Sequence, residues 1–111
     1  MSNFESRDYL QDILNSFNDI SIFVGNMSFD TFCQDKKTIY AVIRCIEVIG
    51  EASKKVPRAI REKYPAIPWI QMSGMMDKMI YGYFDVDNSI LWQTVKEDIP
   101  SLKLFIQSLS G

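Results

Sequence analysis

Histidine is absent from all 111 residues, and cysteine occurs only twice, at Cys33 and Cys45. The first absence excludes every mechanism that turns on an imidazole, from Ser-His-Asp and Cys-His nucleophiles to His-ligated zinc. With two cysteines and no histidine, neither a structural zinc site nor a disulfide framework is expected. Buried free thiols in a reducing cytoplasm are. No apolar run approaches the roughly 20 residues that a membrane-spanning helix needs. The stretch 1–12 is polar and interrupted by charge, so it does not read as a signal peptide. An excess of positive charge is missing too: the net charge is −2 and the pI about 5.0. Broad electrostatic attraction to nucleic acid is thereby excluded as the main binding force, while a local basic patch stays open.

What is present is apolar surface. Hydrophobic residues make up 47% and aromatics 13%, enough to close a core without metal or disulfide staples. The length suits one domain over 1–111.

The periodicity is helical almost throughout. Ser2 and Glu5 have capping-box spacing. Leu10, Ile13, Leu14, Phe17, Ile20 and Val24 follow at three- and four-residue steps, and Gly25-Asn26 is a natural stop. Ser28 to Cys33 reads as a short helical turn with Phe29 and Phe32 inward. Asp35 caps a second long helix whose inner face is Ile39, Val42, Ile43, Ile46 and Ile49, and Pro57 ends it. Gly50 lies inside that helix at a cost of about 1 kcal/mol relative to alanine, so another backbone is expected to approach it. A third helix is expected from about Pro68 to Tyr81, carrying Trp69, Met72, Met75 or Met76, Met79 and Ile80. Asp87 caps a fourth through Ile90, Leu91 and Val95, and Pro100 either kinks it or opens a fifth. The architecture expected is all-α, an up-and-down four-helix bundle with short extra helices.

Three segments resemble a known family. Ala41-Val42-Ile43-Arg44-Cys45-Ile46-Glu47-Val48-Ile49-Gly50-Glu51-Ala52 is similar to the second-helix pattern of the HepT-like branch of the HEPN superfamily. Ile67-Pro68-Trp69-Ile70 resembles the opening of that family's third helix. Gly74 to Phe84, followed by Asp85-Val86-Asp87 and Trp92, resembles its motif region. With Arg7-Asp8-Tyr9-Leu10 the likeness covers nearly the whole chain.

The resemblance implies a homodimer with a metal-independent, cofactor-free RNase site between protomers. It also implies a minimal nucleotidyltransferase partner of the MntA type that silences the toxin by transferring AMP to a tyrosine. The family signature is an arginine, four to six residues and a histidine, with the tyrosine two residues further on. On this chain the arginine position is Met76, the polar position beside it Asp77, the histidine position Tyr81, and the tyrosine Tyr83. RNA cleavage through the 2′-hydroxyl wants a base near neutral pKa and a cation for the charge developing on phosphate. Tyrosine, with an ordinary pKa near 10, is a poor base at pH 7, and methionine carries no charge. Both substitutions lie one base change from the family residue, which suits inactivation of a toxic protein. A homologue kept for binding is the other reading. Arg44, Glu47 and Glu51 share a helical face, either as an exposed ion-pair row or as the wall of a dimer cleft or partner surface. The methionines Met72, Met75, Met76 and Met79 read as core filling or as an adaptable binding surface.

Overall fold

The computed structural model describes residues 2–74, 80–81 and 85–110, with side chains described over 9–74 and 86–108. Two long helices form its spine, α1 (Ser2–Val24) and α3 (Lys36–Lys55), packed against each other along their lengths. The stripe expected from the sequence is the seam. Ile13, Phe17 and Ile20 on α1 and Val42, Ile46 and Ile49 on α3 are buried to within 1% of complete. Full burial of such side chains is worth about 1.5–3 kcal/mol each.

The punctuation follows the residues that set it. Gly25 ends α1 at φ +52°, in the left-handed region, with its N–H on the Ser21 carbonyl at 3.0 Å. Ser28 caps α2 (Phe29–Gln34) by accepting from the Thr31 N–H at 3.1 Å. Phe32 is fully buried, whereas Phe29 stays at the surface, 36% exposed, with its ring 5.9 Å from that of Trp92. The expectation that both phenylalanines point inward is therefore half met. A six-residue helix has one inner stripe, and Phe32 occupies it. Asp35 caps α3 through the Thr38 N–H at 3.1 Å. Val56 and Pro57 then turn the chain into α4 (Arg58–Lys63).

The third helix differs from expectation. Where it is described it is α5 (Trp69–Ser73), closed by Gly74, which donates its N–H to the Ile70 carbonyl. The expected continuation over 75–79, with Met75, Met76 and Met79, lies outside the described residues. The Ser73 hydroxyl bonds back to the Trp69 carbonyl at 2.9 Å, a contact that competes with helix continuation. Further on, Ile80–Tyr81 (β1) pairs antiparallel with Asp85–Val86 (β2), Ile80 opposite Val86 and Tyr81 opposite Asp85. The β-branched Ile80 and Val86 and the aromatic Tyr81 suit this strand pairing better than a helix end. The fold remains all-α in its packing.

Asp87 caps α6 (Asn88–Gln93) as expected, accepting from the N–H groups of Ser89 (2.9 Å) and Ile90 (3.1 Å). The path then widens into a π-helical stretch, Thr94–Asp98, before α7 (Ile99–Ser110). This resolves the role of Pro100: the helix neither breaks nor restarts. A proline ring collides with the carbonyl four residues back in a normal α-helix, and a wide turn relieves that collision. The Ile99 N–H correspondingly reaches the Thr94 carbonyl, five residues back. Leu102 and Ile106 of α7 face the core and Phe105 turns outward.

Candidate functional site

The sequence places its candidate site on two stretches, the outer face of α3 and positions 76–83. Met76, Asp77 and Tyr83 lie outside the described residues. Of Tyr81 the backbone is described, in β1 opposite Asp85. The site's supporting frame is therefore α3, α5 and the hairpin that follows.

Gly50 fixes how α3 meets that frame. A Cβ built on it would stand 3.2 Å from the Ser73 carbonyl oxygen and 3.7 Å from that of Met72. Another backbone does approach this glycine, and it is the end of α5, just before the motif positions. Met72 is fully buried beside it. Trp69 is 7% exposed and held by its indole N–H on the Tyr64 carbonyl at 3.1 Å. The indole thereby pins the Pro-Trp opening to the preceding turn, as a second donor to a carbonyl that also accepts from the Ile67 N–H at 3.2 Å.

Arg44, Glu47 and Glu51 sit on one exposed face of α3, as their spacing requires. Arg44 Nη1 lies 3.9 Å from Glu47 Oε1, and Glu51 Oε1 lies 3.5 Å from Lys54 Nζ, all four side chains being largely solvated. Such pairs contribute a few tenths of a kcal/mol. The row is thus split in two, because Glu51 pairs forward to Lys54. Arg44 and Glu51 also line a groove of about 160 Å³ against α1, whose wall includes Tyr9, Asp12 and Lys55. This pocket holds charges of both signs. Below it, burial raises the pKa of the Cys45 thiol, assisted by the charge of Asp19 and opposed by Arg44. Such a thiol is unreactive. Among the described residues no group of three or more His, Cys, Asp or Glu side chains converges as a metal site.

Trp92 packs on the rim of the core, with its ring 5.0 Å from that of Phe32 and the Lys96 ammonium 4.8 Å above it. It sets the last turn of α6 against α2.

A groove that the sequence reading missed lies between α4 and α5. It holds about 900 Å³ and is walled by Pro65, Ile67, Pro68 and Ile70, with Arg58 and Arg61 at one end. Arg58 Nε is bonded to Glu62 Oε1 at 2.8 Å, whereas Arg61 Nε is buried without a hydrogen-bond partner among the described residues. Two arginines three apart, just ahead of a proline-rich turn, were its only signal in the sequence.

The family described as Ribonuclease HepT-like matches residues 13–109. A protein of Thermococcus cleftensis named "Probable ribonuclease HepT" is 52% identical over 97 residues, spanning 87% of this chain and 88% of its own length. A protein of Methanocaldococcus jannaschii named "Putative RNase MJ1216" is 50% identical over 95 residues, 86% of this chain and 78% of that one. A longer protein of the same organism is named "Gamma-glutamylcyclotransferase and putative RNase MJ0434". It is 45% identical over 95 residues, which cover 86% of this chain and 43% of its own. No solved structure matches this chain. Among the described residues, no helix is long and apolar enough to cross a membrane.

Proposed function

The chain belongs to the Ribonuclease HepT-like family, and from that premise we propose that it is the toxin component of a HepT–MntA type toxin–antitoxin pair, an RNase by descent whose activity is lost or impaired as written. The reading is supported by the family match over residues 13–109, together with our reading of Met76 and Tyr81 as standing at the family's arginine and histidine positions.

The parent chemistry is metal-independent cleavage of RNA in a cleft between two protomers. A base takes the proton of the 2′-hydroxyl as its oxygen attacks the adjacent phosphorus. The bond to the 5′-oxygen of the next nucleotide breaks, that oxygen leaves with a proton, and a 2′,3′-cyclic phosphate remains, while a cation offsets the charge gathering on the phosphate oxygens. A tyrosine of ordinary pKa, near 10, is a poor base at neutral pH. Met76 supplies no charge. Asp77, next to it, would repel phosphate rather than attract it. Expression of Met76→Arg/Tyr81→His should arrest growth where the parent chain is tolerated. A well-expressed, folded double variant that leaves growth untouched would overturn the reading.

Loss of both groups with Tyr83 retained favours a second reading, a non-enzymatic module that binds a minimal nucleotidyltransferase and presents Tyr83 to it. Incubation with the nucleotidyltransferase encoded next to its gene, plus ATP, should then add AMP at Tyr83, read by intact mass and peptide mapping. Addition at another residue, or none, would count against that role for Tyr83. The face of Arg44, Glu47 and Glu51 is assigned to the cleft or to this partner surface.

A further inference from the structure

The net charge of −2 is unevenly distributed along the chain. Helices α3 and α4 with the turn between them, residues 36–63, hold eight of the twelve Lys and Arg residues but only three of the fourteen Asp and Glu. That segment therefore carries +5 and the rest of the chain −7. Five of the eight cations crowd the corner where α3 turns into α4: Lys54, Lys55, Arg58, Arg61 and Lys63. All are exposed except Arg61, which is half-buried. Two of them have carboxylate partners. Lys54 Nζ lies 3.5 Å from Glu51 Oε1 and Arg58 Nε 2.8 Å from Glu62 Oε1, in pairs whose side chains are more than half solvated. Solvated pairs of this kind are weak and exchange readily for another anion. Among the described residues Lys55, Arg61 and Lys63 form no ion pair with a carboxylate. The Lys63 ammonium instead stands 5.5 Å from the centre of the Tyr64 ring.

We infer that this corner is a binding track for the phosphodiester backbone of single-stranded RNA, and that the chain as written still holds RNA there although it lacks the groups to cut it. The inference takes RNA as the ligand from the function proposed above but does not depend on cleavage. Phosphates ask only for charge and N–H donors, which solvated lysines and arginines supply. A protein partner asks for a large apolar or aromatic anchor at the centre of the contact. Between Lys54 and Lys63 the one exposed uncharged residue is Ala59, too small for that part. The surplus of negative charge on the rest of the chain repels a polyanion and so steers it to this corner. Position matters as well. Lys54 lies one helical turn beyond Gly50, and Gly50 meets the backbone at the end of α5. The track thus stands beside the end of α5, just ahead of the motif positions.

Fluorescence anisotropy of a short labelled single-stranded RNA with the full parent chain tests this. Binding is expected at low salt. The logarithm of the affinity should fall with that of the salt concentration by about 0.7 per phosphate neutralised, a slope between about −2 and −3.5 for three to five contacts. Lys55→Glu/Lys63→Glu should weaken binding about tenfold or more and flatten the slope by about 1.4. Lys36→Glu/Lys37→Glu changes the net charge equally at the far end of α3 and should leave the affinity within about threefold of the parent. All four side chains are exposed, so circular dichroism should not change in either variant. A parent chain that binds no RNA, or equal losses in the two double variants, would overturn the inference. Cleavage by Met76→Arg/Tyr81→His is read separately. If that variant holds RNA through the corner and cannot cut it, the RNase reading fails and this one stands. If it cuts at a rate that Lys55→Glu/Lys63→Glu leaves untouched, the RNase reading stands and this one fails. A parent blind to RNA, whose binding to the neighbouring nucleotidyltransferase is lost in Lys55→Glu/Lys63→Glu, would also overturn the inference and give the corner to that partner.

Discussion

Gly50 lies so close beneath Ser73 that a Cβ on it would stand 3.2 Å from the Ser73 carbonyl oxygen. The partner atom is backbone, so it cannot swing aside as the tip of a side chain would. Gly50→Val should lower stability by about 1–3 kcal/mol by pushing the end of α5 off α3. Gly50→Ala should cost less, because the tight contact is offset by about 1 kcal/mol of helix propensity. Thermal melts of the two variants check the order. A valine variant as stable as the parent would mean that α5 is free to move there.

Phe32 should be the costliest position on α2. It is fully buried and meets Trp92 at 5.0 Å. Phe32→Ala should lose about 3–5 kcal/mol in denaturant unfolding. Phe29→Ala removes a side chain that is 36% exposed and should cost clearly less. Equal costs would contradict the division of α2 into an inner and an outer phenylalanine.

The Asp87 carboxylate accepts from two backbone N–H groups, those of Ser89 and Ile90. Asp87→Ala should cost about 1 kcal/mol, and Asp87→Asn less, since an amide oxygen still accepts. No difference between the parent and the alanine variant in urea would remove the cap from the account.

Asp35 gives a pH-dependent counterpart. Its bond from the Thr38 backbone N–H, then that from the Thr38 side chain, holds its pKa below the ordinary 3.8. A carboxyl group whose folded pKa is depressed stabilises the fold above its unfolded pKa, and that contribution is lost as pH falls through the folded value. The gap in stability between the parent chain and Asp35→Ala should therefore be flat above about pH 5 and shrink below 3.8. A gap that grows on acidification would contradict the sign.

Much of this fold is written locally. Gly25, Asp35, Pro57 and Asp87 each punctuate the chain where their own chemistry dictates. The stripe of α1 and α3 is buried as its period requires, and even the close approach at Gly50 follows from a glycine in a helix interior. The features that escaped the sequence are set by non-local geometry. The methionines and Ile80 repeat at helical spacing, yet Ile80 and Tyr81 find strand partners at Val86 and Asp85, and pairing of that kind leaves no periodic trace in two residues. The π-helical stretch depends on where the Pro100 ring would strike the preceding turn. The Arg58–Arg61 groove exists only because α4 and α5 are folded back across two prolines. Of the candidate site, Arg44, Glu47 and Glu51 share the face that their spacing gives, but Glu51 takes Lys54 as its partner.

The central claim, an RNase scaffold silenced at two positions, is tested most directly by RNA cleavage with purified protein. Parent chain, Met76→Arg, Tyr81→His and the double variant would be incubated with RNA in the presence of a metal chelator, their folds checked by circular dichroism. Cleavage by the double variant alone, or far faster than by any other, is the result expected. A folded double variant that leaves RNA intact, or a parent chain that cuts as fast as the double variant, would contradict it.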